Sequence, residues 1–118
     1  MTQPPLNVQL MQECLEACLA CLRACEVCAE ACLDEPEIDM LRECIRLDRD
    51  CADTCALTAR LLMRASPLHL DACRMCAGAC AACAAECERH AGHHDHCRLC
   101  AEACRRCEES CRRMTTAS

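Results

Sequence analysis

Cysteine recurs at alternating intervals of three and four along three stretches of this chain. They are Cys14, Cys18, Cys21, Cys25, Cys28 and Cys32; then Cys73, Cys76, Cys80, Cys83 and Cys87; then Cys97, Cys100, Cys104, Cys107 and Cys111. That interval is the seam of an α-helix, the stripe that normally carries Leu and Ile because it is what the helix buries. An isolated cysteine on such a face is usually a small, inert hydrophobe. A whole seam of thiols is different, because packing alone favours larger apolar side chains there. The pattern predicts helices whose buried faces are built to hold metal.

The rest of the composition agrees with helices. Among 118 residues 53% are apolar, yet Phe, Tyr and Trp are absent, and only Val8, Val27, Ile38 and Ile45 supply β-branched apolar side chains. Ala, Leu and Met carry the remainder, an alphabet that favours helix and disfavours strand. The net charge is −6, and all thirteen basic residues are arginine. No clustered basic face follows from this, so a nucleic-acid partner is not expected. No apolar run reaches membrane length.

Nineteen cysteines in so short a chain would ordinarily suggest a secreted disulfide scaffold. The count is odd, however, and neighbours along a stripe belong to one helix, so bridging them would close only tiny loops. The first residues show no basic stretch followed by an apolar one, so no export signal is expected. The expected home is the cytoplasm, where cysteine clusters bind metal or do redox chemistry.

Punctuation divides the chain into four helices expected at about 8–33, 36–65, 67–91 and 95–113, forming one domain over 1–118. Asn7 is the expected cap of the first. Asp34 with Pro36, and Ser66 with Pro67, are cap-and-proline signals for the second and third. Gly92 is the expected residue after the third helix, and Asp95 the cap of the fourth. Pro4 and Pro5 should close a disordered start, and Thr115 to Ser118 should fray. Short loops make consecutive helices antiparallel, so the expected fold is all-α, an up-down-up-down four-helix bundle with a cysteine-lined core.

The second helix contributes only Cys44, Cys51 and Cys55; Leu47 or Asp48, Thr58 and Leu62 complete its stripe. Leu47 is expected inside and Asp48 just off the seam. All nineteen cysteines are candidate metal ligands. Thiolates are soft donors and select Cu(I), Zn(II) or iron–sulfur clusters. Zinc on four thiolates carries two negative charges, and burying several such sites would cost several kcal/mol per uncompensated ion. A monovalent copper that replaces one thiol proton leaves the core neutral, and Cu(I) accepts two or three sulfurs where zinc requires a tetrahedron. Iron–sulfur clusters need compact sets of four. Many Cu(I) ions therefore suit a stripe spread along a helix.

The repeated CxxxC and CxxC ladder on aromatic-free helices, over roughly residues 8–114, resembles the bacterial cysteine-rich copper storage proteins. The resemblance implies a four-helix bundle that holds many Cu(I) ions without enzymatic activity, and, for the cytosolic branch, a homotetramer. The flanking line of Leu15, Leu19 and Leu22 would suit self-association. The competing readings are an iron–sulfur or thiol redox protein and a metallothionein-like zinc or cadmium buffer. Neither a copper donor nor a copper acceptor protein is specified by these residues.

Antiparallel threading makes the two ends unlike. Cys32, Met40, Cys44, Cys87, His90, His93, His94, His96 and Cys97 gather at one; Leu10, Met11, Leu61, Leu62, Leu68, His69, Cys111 and Met114 gather at the other. The histidine end is the expected route for copper, with His90, His93, His94 and Met40 as first contacts. Helical spacing to Cys87 and Cys97 favours these histidines over His96. Met11 and Met114 are expected to be core first and soft ligands second, and His69, four before Cys73, could ligate at the leucine end.

Overall fold

Asn7 opens the first helix by accepting the Leu10 N–H through its side chain at 3.0 Å. The computed structural model of the chain describes residues 7–116, so Pro4, Pro5, Ala117 and Ser118 lie outside the described residues. Four helices follow: α1 Val8–Leu33, α2 Ile38–Met63, α3 His69–His90 and α4 Asp95–Thr116. Each packs against its two neighbours in a ring, α1 with α2 and α4, α3 with α2 and α4. Short turns alternate their directions, giving the antiparallel four-helix bundle.

The helix ends differ from expectation where a backbone angle overrules a side chain. Asp34 does not cap α2. Its φ of −91° and ψ of −3° are helical, so it closes α1 instead, with its N–H on the Ala31 carbonyl at 3.2 Å. Gly92 takes no positive φ; Ala91 closes α3 and the His90 carbonyl receives the His93 and His94 N–H groups at 3.1 and 3.0 Å. The left-handed residue is Ala65, with φ of 47°. Its N–H reaches the Leu62 carbonyl at 3.1 Å and the Ser66 N–H reaches Leu61 at 2.9 Å, which is the Schellman pattern that ends α2. Thr115 and Thr116 extend α4 rather than fraying, each hydroxyl bonding the carbonyl three residues back.

The core is made almost wholly of sulfur and methyl groups. Every one of the nineteen cysteines is fully buried, flanked by Ala29, Ala52, Ala59, Ala77, Ala84 and Ala101. Side chains this small let the helix axes approach closely, which is what brings opposed sulfurs into contact. Leu61, Leu62 and Met114 close the leucine end, and Met11 packs against the core there, partly buried. Outside, Arg105 of α4 grips the Glu88 carboxylate of α3 with two bonds of 2.8 and 2.9 Å. At that exposure the pair contributes about 0–1 kcal/mol. The fold rests on burial of the seam.

Candidate metal centre

The four seams meet along the bundle axis. At mid-height each helix supplies one sulfur: Cys21 lies 3.7 Å from Cys51, 3.9 Å from Cys80 and 3.6 Å from Cys104, while Cys51 lies 3.6 Å from Cys80 and 4.0 Å from Cys104. Triangles with such sides have their centre about 2.2 Å from each sulfur, close to the ~2.3 Å of a metal–thiolate bond. A trigonal or bridged ion thus fits with little movement. No pair among the described cysteines is bonded as a disulfide.

The sulfur line continues in both directions. Toward the leucine end, Cys107 meets Cys18 at 3.7 Å, Cys55 meets Cys76 at 3.7 Å, and Cys14 meets Cys111 at 3.7 Å, with Cys73 buried at the same level. Toward the histidine end, Cys100 meets Cys25 at 3.8 Å, Cys44 meets Cys87 at 3.6 Å, and Cys28 lies 3.9 Å from Cys97 and 4.0 Å from Cys32. Several overlapping sets of four donors lie within 4.8 Å of one another, among them Cys18, Cys76, Cys107 and Cys111, and Cys25, Cys83, Cys100 and Cys104. Overlap matters, because a shared sulfur can bridge two ions.

Thiol protonation follows from this burial. Desolvation pushes the Cys32 thiol up, and the charges of Cys44 and Cys97 add to it. The hydrogen bond with Cys100, opposed by those with Cys104 and Cys25 and reinforced by Cys51 and by burial, raises Cys83 to about 12. Without metal the Cys32 and Cys83 thiols stay protonated, and a cation that displaces their protons must bind tightly enough to offset that cost.

Asp48 corrects one expectation. It is 0% exposed and points into the core, whereas Leu47 is only partly buried. Both residues fit a seam between Cys44 and Cys51, and hydropathy favours Leu. The tertiary environment reverses the choice: the Cys83, Cys100 and Cys87 thiols donate to Oδ1 at 3.2, 3.3 and 3.6 Å, and Cys44 donates to Oδ2 at 3.9 Å. A buried carboxyl is tolerable when it is so well supplied with donors. Desolvation, with the Cys100 charge next, pushes its pKa up to about 8. On the second wall a carboxyl oxygen, hydrogen-bonded to its neighbouring thiols, stands where sulfur is missing.

The histidine end is also rearranged. His96, the histidine that helical spacing disfavoured, is the one beside sulfur: its Nδ1 lies 3.6 Å from Cys28, 3.8 Å from Cys32 and 3.6 Å from Cys97. These four residues form a three-sulfur, one-nitrogen donor set. Spacing along α4 could not find it, because His96 adjoins Cys97 and two of its sulfur neighbours arrive on α1. His90 is held elsewhere, its Nε2 2.8 Å from Glu86, which also accepts from Arg89 at 2.9 Å. Against the effect of burial, those two hydrogen bonds hold the Glu86 carboxyl below its ordinary value. His94 turns to Glu35, His93 is exposed, and Met40 is 71% exposed on the rim. At the other end, His69 is buried with Nδ1 2.7 Å from the Ser66 carbonyl.

Comparison with known proteins places this geometry. Residues 7–116 match the family model for copper storage proteins. A cytosolic copper storage protein from Streptomyces lividans, solved with five coppers, is 48% identical; the match covers 92% of this chain and 94% of that one, with a TM-score of 0.90. Copper storage protein 3 of Bacillus subtilis in its Cu(I)-bound form is 45% identical over 90% of this chain and 98% of its own, with a TM-score of 0.85. An uncharacterized cysteine-rich protein of the same bacterium is 46% identical over 86 residues, 73% of this chain and 80% of its own length.

Proposed function

This chain belongs to the copper storage protein family, and from that premise we propose that it is a cytosolic store holding many Cu(I) ions on the thiolates of its bundle axis. One observation carries the reading: sulfurs from all four helices stand 3.6–4.0 Å apart in a nearly continuous line, unbridged and sealed from water. A chain of shared thiolates accepts monovalent ions one after another. Each ion releases about one proton, so filling does not accumulate charge in the dry core. Burial also keeps bound Cu(I) away from oxidants.

The protein acts as a sink rather than an enzyme: its chemistry is ligand exchange. Copper is admitted at the histidine end, where His96 presents a nitrogen to Cys28, Cys32 and Cys97. His90, His93, His94 and Met40 ring that opening as weaker outer contacts. The chain works as a homotetramer, a reading supported by the apolar line on α1, where Leu19 is exposed beside partly buried Leu15 and Leu22.

Anaerobic titration of the reduced protein with Cu(I), followed by metal analysis, tests the reading. A capacity near the number of thiols is expected, with no visible iron–sulfur absorption. Saturation at four or five ions would point to divalent buffering instead.

A further inference from the structure

Glu35 lies in the turn between α1 and α2, 61 residues from His96 in sequence, and the two meet across the mouth. Its Oε1 is 3.3 Å from His96 Nε2 and 3.5 Å from His94 Nδ1. An ionised carboxylate can only accept hydrogen bonds, so the ring nitrogen facing it must carry the proton. In a neutral imidazole the other nitrogen then keeps its lone pair. For His96 that nitrogen is Nδ1, the atom beside the sulfurs of Cys28, Cys32 and Cys97. Without Glu35 the ring could populate both tautomers, and only one of them offers a nitrogen ligand here.

We propose that Glu35 is a positioning residue for the mouth site. It locks His96 in the Nε2–H tautomer and fixes the ring so that Nδ1 completes a three-sulfur, one-nitrogen site for a soft monovalent ion. A carboxylate behind a ligating histidine also raises the basicity of the ring. His94 steadies the arrangement, sharing Glu35 Oε1 with its ring 5.2 Å from that of His96. Glu86, the buried carboxylate at this end, is occupied by His90 and Arg89 and does not compete. The inference rests on the reading that copper is admitted through His96.

The test uses the full, reduced chain with Cu(I) as the probe. Long-range proton–nitrogen spectra of the metal-free protein should show His96 in the Nε2–H form alone. In Glu35→Ala the tautomers should mix, and the first copper equivalents should bind about 10–100-fold more weakly against a Cu(I) chelator, with total capacity unchanged. Glu35→Gln, whose amide oxygen still accepts from Nε2–H, should restore part of both signals. A wild-type tautomer and wild-type early affinity in Glu35→Ala, with His96→Ala weakened, would overturn the role of Glu35 and leave the histidine route intact. Unchanged early affinity in His96→Ala as well would remove that route and the proposal with it.

Discussion

The Cys83 thiol donates to Asp48 Oδ1 across 3.2 Å, joining α3 to α2 at the level where a carboxyl stands in the sulfur line. Cys100 of α4 donates to the same oxygen at 3.3 Å, so one acidic side chain is held by two helices other than its own. An unpaired carboxylate in this core would be costly; hydrogen-bonded and largely protonated, it becomes a polar tie between helices.

That tie makes stability depend on pH. The folded-state pKa of Asp48 is about 8 against an ordinary 3.8, so between these values the folded protein keeps a proton that the unfolded chain gives up. The contribution of this group should therefore be fully present below pH 4 and be lost as pH rises toward 8, with a slope of up to about 1.4 kcal/mol per pH unit. Cys44, Cys83, Cys87 and Cys100 face the carboxyl, and the thiols of Cys83 and Cys87 are raised above their ordinary value, so those two keep their protons over that range. Urea unfolding of the reduced protein at pH 5 and 7.5, beside Asp48→Asn, checks this: the variant should lack that part of the slope.

Ala65 carries the strain of ending α2, with φ of 47° where alanine is disfavoured. Relief of a left-handed alanine is worth about 1–2 kcal/mol, reduced by the greater freedom of glycine in the unfolded chain. Ala65→Gly should therefore stabilise the metal-free bundle by about 0.5–1 kcal/mol. Ala65→Val should destabilise it, and thermal unfolding reads both.

The four mouth histidines should not be equivalent. His96→Ala removes a nitrogen that lies within 3.8 Å of three sulfurs, whereas His90→Ala removes one that is bonded to Glu86. Stopped-flow mixing with a Cu(I) donor complex should show slower loading in the first variant and near wild-type loading in the second. Equal slowing in both would indicate that the histidines act together as a polar rim.

Removing copper should leave the helices in place. The Ala-rich shoulders, the Asn7 cap and the leucine end are independent of any ion, so the reduced metal-free protein should retain its far-ultraviolet helical signal. Loading should then raise the thermal midpoint without adding helix, because ions that bind only the folded form stabilise it by mass action. A random-coil spectrum for the metal-free chain would contradict a preformed core. Acid should favour release, since protons compete for the same thiolates.

Much of the site was legible in the cysteine spacing, since a 3-4 ladder can bury itself in only one way on a helix. All three ladders and Cys44, Cys51 and Cys55 face the axis as that periodicity requires. Periodicity could not separate Leu47 from Asp48, because both lie within a seam and hydropathy favours the wrong one. Nor could it find His96 or Glu35. Both act across the mouth: Cys28 and Cys32 lie more than sixty residues from His96 in sequence, and so does Glu35.

The sequence by itself determined the helices, their antiparallel order and a core of thiols, because these follow from intervals along one chain and from short connections. Only the tertiary structure decided which sulfurs meet, that a carboxyl takes its place among them, and which histidine faces them. Those relations depend on how four helices are rotated and staggered against one another. That choice is made by the fit of small side chains and hydrogen bonds between helices, which no spacing within a single helix encodes.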